Sequence, residues 1–144
     1  MGVKTATKNE EFQISASSRD IFSDFNHTFL PHPNTGQIGR KVNADAVKLA
    51  IRNLVLTNKY ERLRNPSFGG NISHYLFEPL DNDTAREIKN DIEWLVETYE
   101  PRAQIRDIYC VVSEDQNSVD VRIQFNVLTS KDVEDLDLTL YRVR

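Results

Sequence analysis

The strongest constraint on this chain lies between residues 119 and 127. There Val119, Val121, Ile123, Phe125 and Val127 alternate with Asp120, Arg122, Gln124 and Asn126. A period of two puts all five apolar side chains on one face of a strand, and that face has to be covered. Upstream, Ile105 and the run Ile108–Val112 are β-branched and aromatic; downstream, Leu136, Leu138 and Leu140 alternate with Asp137, Thr139 and Tyr141. The polar stretch Glu114–Ser118 separates the first two runs. Three consecutive strands joined by short loops predict an antiparallel meander after Pro101.

Two helical patterns supply the cover. Val47, Ala50, Ile51, Leu54 and Val55 form one apolar stripe, which predicts a helix over 43–58 with Asn43 as N-cap and Asp45 in its first turn. Ala85, Ile88, Ile92, Leu95, Val96 and Tyr99 form a second stripe, with Thr84 and Glu87 as a capping box and Pro101 as the stop, predicting a helix over 84–99. Between them, Ile72, Tyr75, Leu76 and Phe77 predict one or two helical turns, ended by Glu78-Pro79. The expected fold class is α+β: a two-layer sandwich whose C-terminal antiparallel β-meander is covered by two main helices.

A length of 144 residues suits one domain. Residues 1–20 are polar, with Phe12 and Ile14 the only sizeable apolar side chains, so a flexible arm over 1–19 is expected ahead of a single domain over 20–144. Residues 20–29 predict a short extended segment or edge strand. Leu30–Gly36, with two prolines, predicts an ordered turn. In the charged link 61–70, Asn65-Pro66 and Gly69-Gly70 are breakers, the glycines supplying backbone angles that other residues avoid.

Composition excludes several kinds of chemistry. A net charge of −4 opposes a broadly basic nucleic-acid surface, and no stretch of about 20 apolar residues offers a membrane span. The first 20 residues lack the apolar run of a secretory signal, so a cytoplasmically made protein is expected. Cys110 is the sole cysteine and falls in a predicted strand, where it reads as a small hydrophobe. His27, His32 and His74 have no metal-ligand spacing, and neither Gly-x-Ser-x-Gly nor a phosphate-binding glycine loop occurs. No cofactor, metal or catalytic set is expected. A glycosidase needs only two carboxyl groups; Glu78 and Glu100, each before a proline, are the candidates, although capping or partner-contacting carboxylates are the favoured reading. Trp94 reads as core edge rather than a stacking platform.

Two features remain as binding candidates. In Tyr99-Glu100-Pro101-Arg102 the proline stiffens a helix-to-strand corner between an acid and a base. Either a charge-assisted contact with a partner or an internal Glu100–Arg102 pair satisfies that arrangement. The last strand, with Leu136, Leu138, Leu140 and Arg142, is expected at a sheet edge, where unpaired backbone groups accept a foreign strand. Arg142 and Arg144 add positive charge there, and the preceding Asp132, Glu134, Asp135 and Asp137 protect the edge and aid solubility.

Asn53–Asn58, Glu61-Arg62, Asn65–Gly69, Leu76–Pro79 and Tyr99–Arg102 occur in an order that resembles the baseplate wedge and sheath-initiator family of T-even phages. Phe22–Phe25 and His32–Gly36 are similar to that family's lead-in, and the resemblance spans roughly residues 20–128. The family also carries the label "gene-25-like lysozyme" and has a relative in type VI secretion baseplates. Tyr60 stands where many members have glycine, Leu63 or Arg64 where some have proline, and Gly70 where cysteine is frequent.

The resemblance implies a non-enzymatic structural protein of a contractile phage tail, present in several copies in a symmetric virion baseplate that assembles in the host cytoplasm. It implies other wedge proteins and the tail sheath protein as partners, with no nucleic acid or membrane. Glu100, Pro101 and Arg102 are expected to dock on the wedge core bundle, and the strand carrying Leu136, Leu138, Leu140 and Arg142 to template sheath subunits by strand exchange. The alternative is a tail-associated peptidoglycan hydrolase, as the family's label says.

Overall fold

The computed structural model describes residues 20–31, 33–113, 117–128, 130 and 132–142. The predicted arm 1–19, His32, Glu114–Gln116 and Arg144 lie outside the described residues. In chain order the elements are β1 (Ser23–Phe25), β2 (Arg40–Val42), α1 (Ala44–Leu56), α2 (Ile72–Tyr75), α3 (Asn82–Tyr99), β3 (Ala103–Ser113), β4 (Ser118–Val127) and β5 (Val133–Tyr141).

The meander forms as its alternation requires. β4 is the middle strand of a sheet ordered β3-β4-β5, antiparallel on both sides. Val119, Val121, Ile123, Phe125 and Val127 are all essentially without solvent exposure, facing Ile51, Leu54 and Val55 of α1 and Ile88, Ile92, Leu95 and Val96 of α3 in one core. Removing this much apolar area from water is the main stabilising term of the fold. The architecture is the expected two-layer α+β arrangement.

β3 holds a feature that periodicity conceals. Its register against β4 shifts between Ile105 and Asp107, so Arg106 is the extra residue of a β-bulge. A bulge resets the alternation. Ile105 therefore turns inward on one side of it, and Ile108 on the other, although three positions separate them.

Both helix starts differ from expectation. α3 begins two residues before Thr84, because the Asp81 carboxylate accepts from the backbone N–H groups of Asp83 (3.0 Å) and Thr84 (2.8 Å). One carboxylate oxygen satisfying two orphan donors supersedes the capping box. Thr84 is buried instead, donating its hydroxyl to the Pro79 carbonyl at 2.7 Å. Asn43 precedes α1 but makes no side-chain cap; with φ 48° it turns Oδ1 toward the lead-in, accepting from Ile21 N–H (3.0 Å) and Phe22 N–H (3.4 Å).

That staple brings the front of the chain into register. The expected edge strand over 20–29 is realised as β1, which pairs antiparallel with β2, a strand the sequence pattern does not announce. Three residues with two charges carry too little periodicity to read. The ribbon extends past both strands through Asn26 N–H to Gly39 O (2.9 Å) and a bridge between Pro31 and Ile38.

Candidate docking corner and sheet edge

The corner after α3 is a closed turn. The Ala103 N–H donates to the Glu100 carbonyl at 3.0 Å, and Pro101, with φ fixed by its ring, fills the second position of that four-residue turn. Glu100 and Arg102 consequently emerge side by side. Arg102 Nε donates to Glu100 Oε1 at 2.5 Å and Nη2 to Oε2 at 2.6 Å, a two-pronged pair. Those bonds raise the Arg102 pKa above its ordinary value, partial burial opposes the rise, and the charges of Glu100 and then Asp24 add to it. The guanidinium also lies 5.2 Å from the centre of the Phe22 ring, which ties the corner to the lead-in.

The two members of the pair are not equivalent. Glu100 is 5% exposed, whereas the Arg102 side chain keeps about a third of its surface in water and Pro101 is exposed. Of the two readings of this corner, the internal pair is formed, and Glu100 offers no free oxygen to a partner. A contact made here engages Pro101 and the remaining N–H groups of Arg102, with Glu100 beneath as support.

Tyr99 fixes the loop that borders the corner. Its hydroxyl donates to Ser67 O at 2.8 Å, and its ring stands 4.9 Å from Phe68 and edge-on to Trp94 at 6.0 Å. Arg62 covers Phe68 at 4.0 Å and Lys59 lies 5.5 Å from the Trp94 ring. Trp94 is about half exposed, a rim residue carrying a cation. Within the loop, Gly69 has φ 103°, the expected left-handed angle, and a Cβ there would meet Thr57 O at 2.5 Å; Gly70 has no such angle and is required by space instead. At Gly70 a Cβ would meet Leu95 Cδ1 at 2.6 Å. Tyr60, standing where the family often has glycine, holds φ 68°, a left-handed angle that glycine adopts without strain.

Beyond β4 from the corner strand, β5 is an edge strand as expected, but its leucines are not the groups that meet solvent. Leu138 and Leu140 are buried and Leu136 packs partly against the core. The Arg142 N–H bonds to Asn117 O at 3.0 Å, which sets the phase of the β4–β5 ladder. In an antiparallel pair, alternate residues turn their backbone groups toward the partner. Leu136, Leu138 and Leu140 are in phase with Arg142 and pair with β4; Val133, Asp135, Asp137, Thr139 and Tyr141 direct theirs to the open edge. The Arg142 side chain is also committed, donating to Phe77 O at 3.1 Å. Lys48 of α1 holds the start of the strand through Glu134 at 2.7 Å.

The outer sheet face carries cross-strand pairs: Arg122 with Asp137 at 2.6 Å, Gln124 with Asp135 at 3.0 Å, and Thr139 with Asp120 at 2.7 Å. A broad concavity of about 740 Å³ lies over them, and neither Glu78 nor Glu100 lines it. Burial pushes the Cys110 thiol up to about 11, away from a nucleophilic thiolate. Among the described residues no group of His, Cys, Asp and Glu is arranged to hold a metal ion, and no helix is long and apolar enough to cross a membrane.

A helix-backed antiparallel meander with a rigid Glu-Pro-Arg corner, and with β3 and β5 at its two edges, defines a class of small α+β modules. The family model described as "Baseplate wedge protein gp25" matches residues 41–132, and the chain belongs to that family. The baseplate wedge protein gp25 of Enterobacteria phage T4 is 29% identical over 104 residues, which is 72% of this chain and 79% of the relative. The fold recurs in a crystal structure from Geobacter sulfurreducens, provisionally described as a tail lysozyme, with TM-score 0.62 and 21% identity over 68% of this chain and 89% of the other. It also recurs in the baseplate of the anti-feeding prophage, with TM-score 0.58 and 20% identity over 85% of this chain and 87% of the other. A component of the type VI secretion baseplate complex gives TM-score 0.54 and 16% identity over 69% of this chain and 93% of the other. The protein is thus a structural baseplate component of the contractile-tail kind.

Proposed function

We propose that this wedge protein docks on the helical core bundle of the wedge through Pro101 and Arg102 and starts sheath polymerisation at the open edge of β5. The observation that carries the reading is the orientation of Val133, Asp135, Asp137, Thr139 and Tyr141, whose backbone groups point away from β4. An incoming sheath strand would find a preformed row of donors and acceptors there, and the entropy of ordering the first strand would already be spent. The pins at Lys48–Glu134 and Arg142–Phe77 favour addition of a strand beside β5 over its release.

The reading is non-enzymatic. Glu100 is buried with both oxygens on Arg102, so it is not disposed to act as the acid or nucleophile of a glycosidase pair. The protein would act in several copies in the virion tail baseplate, assembled in the host cytoplasm with other wedge proteins and sheath. The test is electron microscopy of phage lysates carrying Glu100→Gln with Arg102→Met, which keeps volume and removes both charges together. Loss of baseplates, or tubes without sheath, is expected. Normal contractile tails that fail only at cell-wall penetration would overturn the reading and favour the lysozyme alternative.

A further inference from the structure

The sheet has a second edge, β3, and it is guarded less than the first. The Asn117–Arg142 bond turns the odd-numbered residues of β4 toward β5, so Ser118, Asp120, Arg122 and Gln124 bond β3. Their partners are Ser113, Val111, Tyr109 and Asp107, which leaves Ile108, Cys110 and Val112 directing their backbone groups to the open side. Asp107 Oδ1 takes the Ile108 N–H at 2.7 Å, so the available ladder positions start at the Ile108 carbonyl and run through Val112. β5 carries Glu134, Asp135 and Asp137, whereas Ile108–Ser113 has no charge, proline or glycine. A run of that kind on a sheet edge is a template for stray strand pairing unless something covers it.

A groove lies along this edge. Helix α3 stands over β3 and leaves two adjoining hollows of about 360 and 380 Å³, walled by Leu80, Asn82 and Ala85 and by the half-buried Cys110 and Val112. Cys110 and Val112 share the inward face of β3 with buried Ile108. A fourth strand beside β3 would drop its own inward side chains into the groove.

The chain ahead of residue 20 has the pattern to fill it. Phe12, Ile14 and Ala16 alternate with Glu11, Gln13, Ser15 and Ser17, apolar against polar. The point of entry also fits, because the Phe22 ring lies 5.2 Å from the Arg102 guanidinium, where β3 begins. Ile14 precedes Phe22 by as many residues as Arg102 precedes Cys110, and the bulge at Arg106 shortens the β3 path by one. At ~3.3 Å per extended residue the segment reaches Cys110, with slack for the sideways step of ~4.8 Å between strands. Followed back from the corner it runs antiparallel to β3, placing Phe12 opposite Val112, Ile14 opposite Cys110 and Ala16 opposite Ile108. Directly opposed residues share a face, so the three apolar side chains enter the groove and the polar ones meet solvent.

We infer that residues 11–17 of this chain add to β3 as a fourth, antiparallel strand, closing that edge and leaving β5 as the open one. The pairing does not depend on the sheath reading; it gives that reading a reason for strands to be recruited on one side only.

The test is amide hydrogen exchange of the full chain by NMR, with light scattering on the same sample. Cys110 and Val112 are expected to exchange slowly in a monomer. Phe12→Asp with Ile14→Asp, both outside the core, should speed those two amides by about tenfold while Tyr109 and Val111, bonded to β4, keep their rates. Fast exchange at Cys110 and Val112 in the wild type overturns the inference, and so does slow exchange that the two substitutions leave unchanged. A dimer whose protection is lost on dilution assigns the added strand to a second copy and overturns pairing within one chain.

Discussion

The Arg102 guanidinium spans both carboxylate oxygens of Glu100, and Glu100 lies beneath it almost out of contact with water. Removing one member of such a pair leaves a buried charge unmatched, which is costlier than removing both. Arg102→Ala is predicted to destabilise the fold by about 2–3 kcal/mol, toward or below the low end for buried pairs because the outer guanidinium edge is hydrated. Glu100→Gln with Arg102→Met should recover more than half of that loss. Urea denaturation of the three proteins checks it; equal losses for single and double variants would contradict it.

The loop before α2 supplies a pair of opposite predictions. Tyr60 is 79% exposed and strained at φ 68°, so Tyr60→Gly gives up little contact and relieves strain. The expected gain is about 0.5–1 kcal/mol after the extra freedom of glycine in the unfolded chain is deducted. Gly69→Ala faces both the positive φ and the Thr57 carbonyl, and about 2–3 kcal/mol should be lost. Thermal melts of the two variants should move in opposite directions.

Asp81 makes helix α3 sensitive to acid. Backbone hydrogen bonds, the Thr84 N–H first, lower its folded-state pKa beneath the ordinary 3.8. Its contribution to stability is therefore fully present above pH 3.8 and is lost as the pH falls through the depressed folded value. Asp81→Asn retains a capping oxygen without the charge. The stability gap between wild type and this variant should be widest near neutral pH and narrow below pH 3.8, read from urea midpoints across that range. A gap that widens in acid would contradict the cap.

Backbone phase in β5 predicts two different outcomes for proline. Thr139 directs its N–H to the open edge, and proline is tolerated where that group has no partner. Thr139→Pro should fold, with a modest fall in Tm from the lost hydroxyl bond to Asp120. Leu138→Pro removes a ladder bond and a buried side chain and should not yield folded protein. Similar behaviour of the two variants would place the phase wrongly.

Most of the architecture was legible because the apolar periodicities are long. Ten residues of strict alternation in β4 and four turns of stripe in α3 admit few other folds. What escaped depends on single residues or on contacts distant in sequence. The Arg106 bulge lies within an apolar run, Asp81 outcompetes a well-formed capping box, and Asn43 serves Ile21 and Phe22 rather than its own helix. At the candidate site the corner was legible from Glu-Pro-Arg, but the division of labour between buried Glu100 and open Arg102 depends on which side of the turn meets the core. The edge strand was legible; its outward residues were not, since the leucines that mark a strand are the ones its fold consumes.

Sheath initiation at β5 is read most directly from the fraction of baseplated tail tubes that carry sheath in lysates of phage bearing Thr139→Pro. Normal baseplates with tubes left bare are expected, because one outward N–H of the β5 edge is missing while the fold and the Arg102 corner are intact. Sheathed tails at wild-type frequency would contradict it.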